Sequence, residues 1–132
     1  MISKEIVMLK LSFDKEKNIL RTITGGVIGV DDMLKHYNTI IQSTSFPKRL
    51  NVLINCTSTD CTTKPEEIEI FYNKVKIAVK KYESIREAIL VDQPYETAFV
   101  ILFEKLMQIE KYEFKVFHTE DVAMNWLLND SN

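Results

Sequence analysis

Two cysteines, Cys56 and Cys61, two histidines, His36 and His118, and the run Gly25-Gly26-Val27-Ile28-Gly29 are the residues of this chain best suited to chemistry. A thiol and an imidazole could make a nucleophile–base pair. His118 with Cys56 or Cys61 is the arrangement to test, since all three fall near the carboxyl ends of predicted strands, where α/β proteins place their sites. No loop that could form an oxyanion hole and no acid to orient the imidazole accompanies them. His118 therefore reads as the residue before a helix cap at Thr119. A zinc site would need further Cys or His at matching intervals, and His36 and His118 lie in distant segments, so no metal or cofactor is expected. Cys56 reads as a small buried hydrophobe, and Cys61, ahead of a helix start, as a thiol open at most to redox chemistry. The glycine run lacks the Gly-x-Gly-x-x-Gly order, and no Gly-Lys-Ser/Thr follows, so it reads as a turn or bulge that needs glycine. Asp92, alone before Pro94, is turn chemistry. The expectation is a protein that is not an enzyme.

The elements that must position these residues are set by hydrophobic period. Val7, Leu9, Leu11 and Phe13 alternate with Met8, Lys10 and Ser12, predicting a strand over 5–13. A polar turn at Asp14–Asn18 and a second strand from Ile19 to about Thr24 complete a hairpin. Asp31 and Asp32 open a helix with Met33, Leu34, Tyr37, Ile40 and Ile41 on one face. Leu50 to Cys56 is a short apolar strand. Thr63 and Glu66 have capping-box spacing for a second helix with Ile68, Phe71, Tyr72, Val75, Val79 and Tyr82 inward. Ala88 to Val91 is a strand, and Pro94 starts a third helix with Phe99, Leu102, Leu106 and Ile109 inward. Tyr112 to Phe117 is the last strand, and Val122 and Trp126 anchor a final helix.

Alternation of strands and helices after a hairpin predicts an α/β fold with a mostly parallel sheet. Asn51 and Asn55, and Glu113 and Lys115, alternate with apolar neighbours, which predicts helices mainly on one face. The other face would mix polar residues with Met8, Leu53, Ile89, Val91 and Phe117. All 132 residues are expected to form one domain. A net charge of −2 and a pI near 5.7 argue against a nucleic-acid partner. No signal peptide is read at the N-terminus, where Lys4 and Glu5 interrupt the first residues. The apolar run Ala98–Phe103 is far too short for an integral membrane segment, so a cytoplasmic protein with reduced thiols is expected.

The hairpin, Thr24-Gly25-Gly26 before Asp31-Asp32, Leu50-Asn51-Val52-Leu53-Ile54, Ala88-Ile89-Leu90-Val91-Asp92, and the ending Val116-Phe117 through Ala123-Met124-Asn125-Trp126-Leu127 together resemble SpoIIAA-like (STAS-like) domains. The resemblance spans nearly the whole chain and is most specific in its final segment. It implies the SpoIIAA-like fold, shared with CRAL-TRIO lipid-transfer domains, and a binding or regulatory role. Anti-sigma-factor antagonists of that family carry Asp-Ser-x-Gly, with the serine phosphorylated at a helix start. Asp60-Cys61-Thr62-Thr63-Lys64 stands in that place, with cysteine for serine and no glycine. The switch is therefore not expected to operate. Of the three candidate regulatory residues, Cys61, Thr62 and Thr63, the two threonines read as caps.

Two functions follow from the resemblance. One is a regulatory or structural protein-interaction module that self-associates or takes a protein partner. The other is a carrier for an apolar small molecule or lipid. For the first, Ile70 and Ile77 point away from the inward stripe of the second helix, and Val100 and Met107 flank that of the third. These four residues are the expected partner interface.

Overall fold

The computed structural model describes residues 8–129. β1 (Met8–Asp14) and β2 (Ile19–Ile28) form an antiparallel hairpin, closed where the Asp14 carboxylate accepts the Lys17 N–H at 3.1 Å. Then follow α1 (Val30–Gln42), β3 (Arg49–Asn55), β4 (Thr59–Cys61), a 3₁₀ turn (Pro65–Glu67), α2 (Ile68–Val79), β5 (Ser84–Leu90), α3 (Pro94–Leu106), β6 (Tyr112–Phe117) and α4 (Glu120–Leu128). The main sheet runs β1-β2-β3-β5-β6, parallel from β2 onward, with β4 pairing the far end of β2. Each crossover steps in the same direction, and crossovers of one hand then put their helices on one face.

That face carries the larger core. Leu20, Val52, Ile54, Ile89 and Phe114 of the sheet meet Tyr37, Phe71, Val75 and Phe103 of the helices. Among the described residues α4 alone covers the opposite face, where Ala123 and Leu127 close over Ile19, Leu53, Ala88, Leu90 and Phe117. Leu53 and Phe117 lie on the face expected for them, whereas Ile89 and Val91 belong to the larger core. Met8 is exposed at the hairpin.

The glycine run is strand rather than turn. β2 continues through Gly25 and Gly26 to Ile28, with Gly26 at φ 74°, a left-handed value that favours glycine, and Gly29 caps α1. Past Ile23 the strand leaves β3, and from Gly26 it pairs with β4, a strand too short to show a period in the sequence. Gly29 follows because a Cβ there would lie 3.0 Å from the Thr62 hydroxyl, and its N–H bonds the Asp32 carboxylate at 2.9 Å.

Two helix faces and one helix cap differ from expectation. In α3 the buried apolar residues are Phe99, Val100 and Phe103, followed by Met107 just past its end, while Leu106 is half exposed. Val100 and Met107 therefore leave the expected partner interface. The run Ala98–Phe103 is apolar all round, so period alone could not choose its inward face. In α4, Val122 is exposed and Ala123 and Leu127 are the anchors. Trp126 is half-buried and packs on Phe117, with the Arg86 guanidinium 4.0 Å from its ring centre. The second helix is not capped by Thr63; the Lys64 N–H donates to the Glu67 carboxylate at 2.8 Å.

Candidate functional site

The carboxyl ends of β2, β3 and β5 and the first turns of α2 and α3 surround an apolar cavity of about 70 Å³. Ile28, Ile54, Ile89 and Val91 form its sheet side, and Phe71, Phe99 and Phe103 its helix side. Cys56, Cys61, Thr59, Thr63, Glu96 and Tyr37 also line it, but its surface is almost wholly apolar. The structure thus brings both cysteines to one cavity. Burial pushes the Cys56 thiol up to about 11, against a smaller downward pull from its hydrogen bond with Thr24, so Cys56 stays a protonated thiol near neutral pH. Glu96, in the first turn of α3, accepts the Cys61 N–H at 2.7 Å and so ties β4 to that helix. The Tyr95 hydroxyl donates to the Thr63 carbonyl at 2.7 Å, a second tie across the same gap. Thr62 donates to the Ile28 carbonyl at 3.3 Å, while the Thr63 hydroxyl, 1% exposed, has no partner.

His118 is not part of this cavity. Its Nδ1 lies 3.1 Å from the Val91 carbonyl oxygen, and no thiol is within that contact. Asp92 accepts the Ser58 N–H at 2.9 Å, the turn role read for it. His36, by contrast, is fully buried. Its Nε2 meets Glu87 Oε2 at 2.9 Å, and its Nδ1 meets the Thr22 hydroxyl at 3.0 Å. The Tyr37 hydroxyl donates to Glu87 Oε1 at 2.9 Å, and the Tyr112 hydroxyl donates to the same oxygen. Burial first, then the negative charge of Glu87, push both tyrosines well above the usual phenol range. α1, β2, β5 and β6 are joined through this one carboxyl group, and Tyr37 connects it to the cavity wall.

Sequence reasoning missed Glu87, Glu96 and the use of His36. A signal existed for Glu87: Ile85, Glu87 and Ile89 share one face of β5, so a strand begun at Ser84 turns the carboxylate inward. Among the described residues no three His, Cys, Asp or Glu side chains converge as a metal site. On the outer side of α2, Ile70 and Ile77 are 43% and 49% exposed, as their spacing predicts.

No protein-family model and no curated protein matches the sequence. Among solved structures, the chain is similar to an uncharacterized DUF3478-family protein from Shewanella loihica PV-4, described as having a SpoIIAA-like fold. The match has a TM-score of 0.56 at 16% identity and covers 94% of this chain and 95% of that one. The fold is SpoIIAA-like. At such identity the likeness speaks for the fold alone. No described helix is long and apolar enough to cross a membrane.

Proposed function

We propose that this SpoIIAA-like chain is a non-enzymatic interaction module of STAS type that self-associates through the outer face of α2. The supporting observation is the pattern on that face. Ile70 and Ile77 are seven residues apart, which on a helix leaves them nearly in line. Acidic residues Glu66 and Glu67 precede them, and basic residues Lys80 and Lys81 follow. A two-fold axis between Asn73 and Lys74 would set Ile70 against Ile77 of a second copy, Glu66 against its Lys81, and Glu67 against its Lys80. Such self-complementarity is what an isologous dimer needs. It combines apolar burial at the centre with opposite charges at the rim.

The absence of catalysis is part of this reading. It is supported by the separate hydrogen-bond partners of His36 and His118, neither of which is a cysteine. A carrier of whole lipids is less well supported, because binding pockets for ligands of that size run to roughly 300–1,000 Å³. Sedimentation equilibrium is the test. Wild type should sediment as a dimer, and the Ile70→Lys/Ile77→Lys variant as a monomer with an unchanged circular dichroism spectrum. A monomeric wild type, or a variant that keeps the dimer mass, overturns self-association.

A further inference from the structure

We infer that the outer edge of β6 is a docking site for an extended segment of a partner protein that carries a carboxylate opposite Lys115. β6 ends the sheet, with β5 on one side and no strand on the other among the described residues. The Ile85 N–H bonds the Lys111 carbonyl at 2.9 Å, and the Val91 N–H bonds the Phe117 carbonyl at 3.3 Å. In a regular ladder those bonds assign the backbone groups of the odd-numbered residues to β5 and turn those of Tyr112, Phe114 and Val116 outward. The Tyr112 N–H is taken by the Ile109 carbonyl at 3.2 Å. Phe114 and Val116 therefore each offer an N–H and a C=O to an added strand, the groups by which sheet edges capture extended peptides. The site shares no residue with the outer face of α2 and does not rest on the reading given for that face.

Shape and charge narrow the partner. A groove of about 310 Å³ follows this edge, lined by Met107, Ile109 and Phe114 and also by Trp126. Phe114 belongs to the face covered by the crossover helices and Trp126 to the face covered by α4, so the groove passes round the edge. Glu113 and Lys115 alternate with Phe114, so both lie on the α4 face. Their situations differ. The Arg86 guanidinium holds the Glu113 carboxylate at 2.6 Å, whereas Lys115 makes no ion pair among the described residues. A lysine on such an edge repels basic segments and admits acidic ones. A second copy of β6 would bring its own Lys115 and a Glu113 already held by Arg86, so an acidic segment is the better fit.

The probes are a pair of short capped peptides of alternating valine and threonine, one with a central glutamate and the other with a central lysine. Each is added to the full chain and followed by amide hydrogen exchange and NMR titration. In the free protein the Phe114 and Val116 amides should exchange fast, while those of Glu113 and Lys115, bonded to β5, exchange slowly. The glutamate peptide should slow the first pair and leave the second unchanged. It should bind about threefold to tenfold more tightly than the lysine peptide, since opposite charges across a strand pair attract and like charges repel. Lys115→Glu should reverse that preference with an unchanged circular dichroism spectrum. Unaltered exchange at Phe114 and Val116 with both peptides overturns the docking site. Equal binding of the two peptides by wild type, or a Lys115→Glu variant that still prefers glutamate, overturns the acidic class. Protection of the Phe114 and Val116 amides that grows with protein concentration alone overturns the partner segment in favour of a second copy.

Discussion

Around Glu87, a carboxyl group, an imidazole and three hydroxyls are buried in mutual contact and all find partners. Around Thr63, on the same side of the sheet, a hydroxyl just as deeply buried finds none. Tyr37 belongs to both places: its hydroxyl completes the first, and the residue lines the second. The contrast separates two uses of polarity inside one apolar core. A completed network fixes which elements meet, here α1 against β2, β5 and β6, because the wrong neighbours would leave a carboxylate without donors. An incomplete one carries a cost of about 1–3 kcal/mol. The first location ties elements together, and the second leaves one hydroxyl uncompensated among the described residues.

The largest effect should come from breaking the completed network. Glu87→Ala leaves His36, Tyr37 and Tyr112 without their shared acceptor, and urea denaturation should record a loss of about 3–5 kcal/mol. A loss below about 1 kcal/mol would mean that the network contributes little to the fold.

A smaller effect belongs to the cavity wall and appears only at high pH. Burial raises the Cys56 thiol from 9.0 to about 11 in the folded chain. As pH climbs past 9.0 the unfolded chain ionises first, so this contribution is complete below pH 9.0 and gone above about pH 11. At about 1.4 kcal/mol per pH unit, the loss is about 2–3 kcal/mol. Tyr37 and Tyr112 add a loss of the same sign, but theirs begins only above pH 10.0. Stability of wild type against Cys56→Ala, measured from pH 8 to pH 10, should therefore diverge before the tyrosines contribute. Parallel curves would place the thiol in contact with water.

The smallest effect sharpens the comparison most. Thr63→Val removes a hydroxyl that has no partner, so unfolding free energy should stay level or rise by up to about 1 kcal/mol. A loss of more than about 1 kcal/mol would show that the hydroxyl is bonded, for example to a buried water, and that the two locations do not differ in kind.

Elements with a clean period were legible. The last strand, Tyr112–Phe117, has the bounds its alternation predicts, and the hairpin, the α3 start at Pro94 and the outward Ile70 and Ile77 follow equally local rules. The cavity was legible only in part. Cys56, Cys61 and Thr63 stood out as residues, but the sequence cannot show that β4 exists, and β4 is what carries Cys61 to the cavity. It forms where β2, past its last pair with β3, runs on through Gly26 to Ile28 and takes β4 as a parallel neighbour.

By itself, then, the sequence determined the alternation of strands and helices, the mostly parallel sheet and the one-sided placement of its crossover helices. Those depend on periods of two and 3.6 residues and on a fixed crossover hand, all of which act over short stretches of chain. Only the tertiary structure decided which way α3 turned, because an all-apolar helix is assigned its inward face by its neighbours. Only it decided that Val122 faces solvent while Ala123 and Leu127 meet the sheet. It also decided the fate of Glu87, which the alternation with Ile85 and Ile89 turns inward although its charge favours solvent. Donors from α1 and β6, arriving from 50 and 25 residues away, make its burial possible. Long-range partners of that kind leave no period behind, so the polar interior of this protein exists only once the fold has formed.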